Sequence, residues 1–288
     1  HAASMQHAYV FHMHTRPVTR HRVAIVGAGI GAEHLAAYRA LPERFTVRTI
    51  CDLHAARAAA LRGAALRYAR WGRGPPGGPL GAPLAPPCPR SPPSSAVPGR
   101  GPWAGARAGA VLGHAIHIHD WLTHVLGPVA SVHAELATRV NAIETEDCAA
   151  LAIRMVSGAL VTSSITLGAA GDTSRMRFVF EGLTAESGTA PYAPAEDAWT
   201  FTAREPAAQA EVDRVAAAAR AEPLGFVGLF TAVADALDGR AGAAVTLEDG
   251  RRSLEFVTAV YASAASGAPV RLPLSADHPL YADWGPGG

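Results

Sequence analysis

The sequence predicts an α/β fold in two parts. A parallel βαβ unit lies near the N-terminus, and a region of alternating strands closed by helices follows it. Three observations predict this. Between His21 and Asp52 a short apolar strand runs into a glycine-rich turn, a helix and a second strand. Residues 71–109 are dense in proline and glycine and separate the two parts. From Val129 to Arg204 apolar residues tend to recur at every second position, whereas the C-terminal third is patterned at helical spacing.

The first strand is Val23-Ala24-Ile25-Val26, an apolar run suited to burial on both faces. Gly27-Ala28-Gly29-Ile30-Gly31-Ala32 then follow the pattern G-x-G-x-x-[G/A]. Leu35, Tyr38 and Leu41 share one face of the next helix, which Pro42 stops. A strand from Phe45 to Cys51 ends at Asp52, about 20 residues past the glycines, the spacing of a dinucleotide fingerprint. Gly27 allows the tight turn, and Gly29 lets the backbone approach a pyrophosphate closely. The helix beginning near Gly31 directs unpaired N–H groups and a partial positive charge at the same group. Asp52 can accept hydrogen bonds from an adenosine ribose, which favours NAD over NADP, whose 2′-phosphate would meet its charge. Arg57, one turn onward, can soften that preference, so NADP remains possible. The expected cofactor-binding set is Gly27, Ala28, Gly29, Ile30, Gly31, Asp52 and Arg57 in a Rossmann-type unit.

The 288 residues suffice for two domains with cores of their own. A net charge of +1 gives no ground for nucleic-acid or anionic-membrane binding. No apolar stretch reaches the ~20 residues of a membrane span. Cys51, Cys88 and Cys148 stand far apart without metal-ligand spacing, which fits a reducing cytoplasm. All 25 basic residues are arginine, and the alanine-, glycine-, proline- and arginine-rich composition looks like translation of a GC-rich gene. Residues 1–20 carry no period and no signal-peptide core, so a disordered leader is expected despite His1, His7, His12 and His14, with Met5 or Met13 as a candidate natural start.

A second helix is expected over Ala55–Tyr68, with Asp52 as a plausible cap. Residues 71–109 then hold half of the chain's 22 prolines and cannot supply sheet strands or long helices. Two readings stand: an interdomain linker, or a frame-shifted or deleted coding stretch in place of βα units. A structureless loop this long is unusual inside a compact domain, and the second reading is preferred.

Order returns at Ala110. Ala115–Leu126 reads as a helix stopped by Gly127-Pro128, and His114, His117, His119, Asp120 and His124 crowd into this region. Positions 117, 120 and 124 share a face, but no clear further ligand accompanies them, so no metal site is expected.

The glycine stretch with His34 and Tyr38, the Cys51-Asp52 strand end, and Gly113-His114-Ala115-Ile116-His117-Ile118-His119-Asp120 followed by Leu126-Gly127 resemble the Gfo/Idh/MocA oxidoreductases. The resemblance covers roughly 22–70 and 110–275. It implies a Rossmann domain followed by an α/β domain with a large, open, mostly antiparallel sheet. It also implies hydride transfer between NAD(P) and a sugar, inositol or related polyol, in a cytoplasmic homo-oligomer joined through the C-terminal sheet. The family's G-I-H-x-x-D motif maps onto Ala115, Ile116, His117 and Asp120, which implies that His117 assists proton transfer at the substrate hydroxyl, with Asp120 beside it. Gly113 stands where the family commonly has an acid, and the Glu-Lys-Pro motif is absent, as is any lysine. The expected organisation is therefore a leader at 1–20, a truncated Rossmann domain at 21–70, an irregular segment at 71–109, a substrate and oligomerisation domain at 110–275, and a tail at 276–288. The alternative is a non-catalytic remnant that folds its sheet domain and dimerises.

Strands are expected over Val129–Val140, Cys148–Met155, Ala159–Leu167, Arg175–Glu181 and Trp199–Arg204. Helices follow over Val212–Arg220 and Phe226–Leu237, the latter with Phe226, Leu229, Phe230 and Val233 on one stripe. Thr246–Asp249 opens the last helix, with Leu254, Val257 and Tyr261 inward, and Gly267 and Pro269 end it.

Overall fold

The computed structural model describes residues 20–27, 29–52, 55–61, 67–70, 109–190, 198–220, 222–240 and 244–281. The expected leader (1–19), nearly all of the irregular segment (71–108) and the end of the tail (282–288) lie outside these residues. The described residues within 1–78 and 174–244 form one compact unit, and those within 79–173 and 245–288 form another. Residues 174–244 therefore group with the N-terminal unit rather than with an uninterrupted domain at 110–275.

The first unit opens with β1 (His21–Val26), α1 (Gly31–Ala40), β2 (Phe45–Asp52), α2 (Ala55–Ala60) and β3 (Arg67–Arg70). The strands are parallel in the order β1-β2-β3, with Thr49 opposite Arg67 and Asp52 opposite Arg70. The helix expected to reach Tyr68 thus stops at Ala60, because positions 67–70 pair with β2 and supply a third strand. Ile25 and Ile50 pack with Leu35 of α1 and Ala58 of α2, so both helices cover one face of the sheet. Ala24 and Val26 point the other way and are exposed, Val26 at 64%. β1 is therefore buried on one face only, contrary to the continuous apolar run, because both helices packed with Ile25 lie on the same side.

Helix α1 also explains why a distant segment joins this unit. In a later helix (Gly225–Leu237), Phe230 stacks on Tyr38 with centroids 3.9 Å apart and planes 9° from parallel. Ala37, Phe45 and Ala234 complete the cluster, and His34 meets Phe226 edge-on at 4.5 Å. At the rim Arg44 donates to Asp235 at 2.7 Å and Asp238 at 3.3 Å, and His21 Nε2 lies 2.8 Å from Asp238. Partly exposed ion pairs contribute little each, so the aromatic burial carries this contact. The same unit holds an antiparallel sheet of β7 (Arg177–Val179), β8 (Leu183–Glu186) and β9 (Thr200–Ala203). Phe178 and Phe201 stand opposite Ala185 on its apolar face.

The second unit contains α3 (Ile116–Leu126), β4 (Val129–Ala137), β5 (Cys148–Met155) and β6 (Leu160–Thr166). A C-terminal helix (Leu247–Ser266) and β10 (Val270–Arg271) complete it. Numbering the remaining helices in chain order, Gln209–Ala219 is α4, Gly225–Leu237 is α5 and Leu247–Ser266 is α6. The sheet order is β10-β4-β5-β6, antiparallel throughout. In β5 the side chains of Ala149, Leu151, Ile153 and Met155 are buried, while Ala150, Ala152 and Arg154 are exposed, as alternation dictates. Thr246 caps α6 reciprocally with Asp249, and Gly267 ends the helix at φ 64°. The inward stripe of α6 is Ser253, Phe256, Val257, Val260 and Tyr261, whereas Leu254, expected inward, is 49% exposed because it lies off that stripe. The large open sheet of the sequence reading is, among the described residues, divided into a four-stranded and a three-stranded sheet, one in each unit.

Phe230→Ala is expected to destabilise the first unit by about 3–5 kcal/mol, since a buried ring leaves a cavity against Tyr38 and Phe45. Chemical denaturation followed by near-UV dichroism measures this. A loss below about 1 kcal/mol would show that the aromatic cluster does not hold α5 on α1.

Candidate functional site

The N-terminal glycine turn is built as its spacing requires. Gly27 adopts φ +92°, a left-handed conformation that favours glycine, and its N–H donates to Cys51 O at 2.8 Å. That bond ties the end of β1 to the end of β2, where Asp52 is buried. A Cβ on Gly31 would lie 2.8 Å from Ile25 Cγ2, so the third glycine lets α1 close onto β1. Gly29 is exposed, and a Cβ there would meet nothing within 4 Å, so packing inside the protein does not explain it. Ile30 is also exposed. Ala28 lies outside the described residues, and Arg57 sits in α2, where only its backbone is described. The structure thus brings Gly27, Gly29, Ile30, Gly31 and Asp52 to one end of the parallel sheet, beside the N-terminus of α1.

The His-rich segment belongs to the other unit. Val111–Ala115 form a π-helical turn, closed by Ile116 N–H donating to Val111 O, and α3 continues from it. The helix expected over Ala115–Leu126 is therefore present with an irregular first turn. His117 and His124 are exposed and Asp120 is half-buried. His119 is instead buried, its Nδ1 3.3 Å from Ser253 Oγ and its ring stacked on Phe256 at 4.3 Å. Burial lowers the His119 pKa to about 4, so this imidazole is neutral at physiological pH. Among the described residues no group of three His, Cys, Asp or Glu side chains is arranged to hold a metal ion.

Two neighbouring carboxylates between β4 and β5 hold this region together. Glu146 Oε1 accepts from Val111 N at 2.9 Å and from the Tyr261 hydroxyl at 2.7 Å, and both its oxygens accept from Gly109 N at 3.1 Å. Burial and the adjacent Glu146 carboxylate push the Tyr261 hydroxyl far up, which keeps it protonated and donating. Asp147 accepts from the backbone N–H groups of Arg139, Val140 and Asn141 at 2.7–2.9 Å. Desolvation alone would raise its carboxyl, but these backbone donors outweigh it and hold the group well below the ordinary range. Sequence reasoning missed Glu146, Asp147, Tyr261's hydroxyl and the buried role of His119. The available signal was the pair of acids standing directly before an alternating strand.

Residues 87–186 match the sequence model described as the GFO/IDH/MocA C-terminal domain. Over that stretch the chain is similar to Gfo/Idh/MocA C-terminal domains. The match spans the π-turn, α3 and the Glu146-Asp147 loop. The fold of the chain is similar to that of WlbA dehydrogenase from Bordetella pertussis, solved with NADH and UDP-GlcNAcA. That likeness has a TM-score of 0.66 at 19% identity, over 89% of this chain and 99% of that one. An NAD-binding oxidoreductase from Klebsiella pneumoniae is similar at TM-score 0.62 and 14% identity, over 89% and 100% of the two chains. Levoglucosan dehydrogenase, solved with NADH and L-sorbose, is similar at 0.57 and 13%, over 88% and 99%. At these identities the likeness is one of fold. No curated protein sequence matches.

The buried His119 makes stability pH-dependent. Its folded pKa of about 4 lies below its ordinary 6.5, so between those values the unfolded chain binds the extra proton. This contribution is complete above pH ~6.5 and declines by about 3 kcal/mol as the pH falls towards 4. Urea unfolding of wild type and His119→Gln across pH 4–7 should show the variant losing less stability than wild type in this window. Parallel pH profiles would contradict the burial of a neutral His119.

Proposed function

We propose that this chain is an oxidoreductase of Gfo/Idh/MocA type that binds NAD, with NADP possible. It transfers hydride between the nicotinamide and a sugar, inositol or related polyol, with impaired turnover. The observation that carries this reading is the Gly27–Gly31 turn, seated against the end of β2 with Asp52 beside it. The N-terminal N–H groups of α1 and the turn Gly27, Ala28, Gly29, Ile30 and Gly31 would hold the pyrophosphate, and Asp52 the adenosine ribose, with Arg57 nearby. The cofactor supplies the redox chemistry when bound. His117, solvent-accessible on α3, would pass a proton at the substrate hydroxyl, with Asp120 one turn further on. Structural neighbours solved with UDP-GlcNAcA and with L-sorbose support a sugar-class substrate.

The outer face of β4-β5-β6 supports a homo-oligomer. Ala150, Ala152, Thr162, Ser164 and Thr166 are exposed there, with Arg154 and Leu160 at one end of the same face. Among the described residues no helix is long and apolar enough to cross a membrane. A cytoplasmic protein without nucleic-acid or membrane partners is the reading that the charge and cysteine spacing support.

Impairment rests on what the residues lack. There is no lysine to work beside His117, and Gly113 supplies no acid. Arginine stays protonated at any useful pH and cannot substitute as a proton carrier. In this reading residues 71–109 replace βα units that would have positioned the nicotinamide, and positioning provides much of the barrier reduction. The missing lysine also favours a second reading, a non-catalytic remnant that folds its sheet domain and dimerises.

A scan of sugars and polyols with NAD, followed by nicotinamide absorbance and by transfer of a labelled hydride, tests these readings. The expected result is slow label transfer, with no saturable steady-state rate above background. Complete absence of transfer would leave the remnant reading in its place. A robust rate abolished by His117→Ala would contradict impairment and require another residue in the lysine's role.

A further inference from the structure

The π-turn at Val111–Ala115 stands between two buried anchors. On its N-terminal side, Glu146 accepts the N–H groups of Gly109 and Val111, and Ala110 N donates to Glu146 O at 2.9 Å. Tyr261 of α6 donates to the same carboxylate oxygen that Val111 reaches. Ala110 and Val111 are fully buried, and a Cβ on Gly109 would lie 2.0 Å from Glu146 O, so this end cannot slide. On the C-terminal side, His119 meets Ser253 and stacks on Phe256, and Leu122 is buried. A π-turn takes up one residue more than an α-turn. Returning it to α geometry would shift one end relative to the other by one residue, a rotation of about 100° about the helix axis. His117 lies between the anchors, on the first turn after the irregularity.

We propose that Glu146 is a positioning residue for His117: braced by Tyr261, its carboxylate holds the π-turn that sets the direction of the His117 imidazole. The inference rests on the reading of His117 as the proton-transfer group, but its structural part stands independently. Glu146 acts through the backbone N–H groups of Gly109 and Val111. A hydrophobic replacement would leave the donors of Gly109, Val111 and Tyr261 without their acceptor in a buried place, and relaxation of 109–115 is the route by which they would recover partners.

The chemistry of the oxygens ranks the variants. Oε1 accepts from Gly109, Val111 and Tyr261, whereas Oε2 accepts from Gly109 alone. Glu146→Gln can keep Oε1 in place and lose only the Oε2 contact, so it is the conservative variant. Glu146→Ala removes the brace, and Tyr261→Phe removes one donor while retaining the ring.

The test uses the full chain labelled with ¹³C-histidine, with the His117 ring signal assigned through His117→Ala. Amide exchange at 111–115 is followed in parallel. Glu146→Ala is expected to move the His117 signal and speed exchange at 111–115 by about tenfold or more, with the β5 amides unchanged. Glu146→Gln should restore both to near wild-type behaviour. If Glu146→Ala does not fold, Tyr261→Phe should show the same changes to a smaller extent. An unmoved His117 signal in the folded variants would overturn the proposal, as would equal disturbance by Gln and Ala. In the labelled-hydride assay, Glu146→Ala should lower the rate of label transfer about tenfold relative to wild type, and Glu146→Gln should restore it. Hydride transfer absent from wild type, with the spectroscopic changes as expected, would defeat the oxidoreductase reading alone. Transfer present with an unmoved His117 signal would defeat the brace alone.

Discussion

The N-terminal unit depends on a helix that lies so close to a strand that only the Ile25 side chain fits beneath Gly31. Gly31 is pressed so close to Ile25 that even one methyl group would collide. That contact fixes α1 over β1 and presents the start of the helix at the end of the sheet. The Gly27 N–H bond to Cys51 O then brings the end of β2, and with it Asp52, to the same place. The aromatic contact of α1 with α5 follows from the same placement, because Tyr38 lies on the helix that Gly31 docks. The proposed cofactor end and a packing platform thus come from one close approach.

The second unit is governed by a different constraint, the satisfaction of buried polar groups. Glu146 and Asp147 are adjacent, and both carboxylates are spent on backbone N–H groups. Glu146 takes those at the start of the π-turn, and Asp147 those of the loop after β4. Unpaired, each such group would carry a desolvation cost of about 1–3 kcal/mol. Two neighbouring residues therefore join a helix start, a loop and α6 to the edge of one strand. Charge that a surface reading would assign to solvent is interior structure.

Much of this was legible in the residues, for physical reasons that differ by element. The tight turn was readable at Gly27, whose φ of +92° is the conformation that glycine permits, whereas the close approach of Gly31 to Ile25 became visible only in the structure. Alternation in β5 and β6 was readable because one face of the sheet is covered and the other is not. The Thr246-Asp249 cap was readable because both partners lie within one turn. Burial of β1 on one face only was hidden, since an apolar run says nothing about how many layers pack on it. The strand at 67–70 was hidden by its arginine, tyrosine and alanine, which also suit a helix. The grouping of 174–244 with the first unit depended on ring contacts across more than 180 residues of sequence. The roles of His117 and Asp120 came from resemblance; the structure adds that His117 is exposed while His119, two residues on, is buried as a packing histidine.

The central claim is that the end of the parallel sheet is a dinucleotide site whose acid selects the ribose. Titration calorimetry of the wild-type chain and Asp52→Asn with NAD and NADP tests it most directly. The account predicts weak binding by wild type with NAD tighter than NADP, and a narrowed difference in Asp52→Asn. Tighter binding of NADP by wild type, or the same preference in both proteins, would contradict the role given to Asp52.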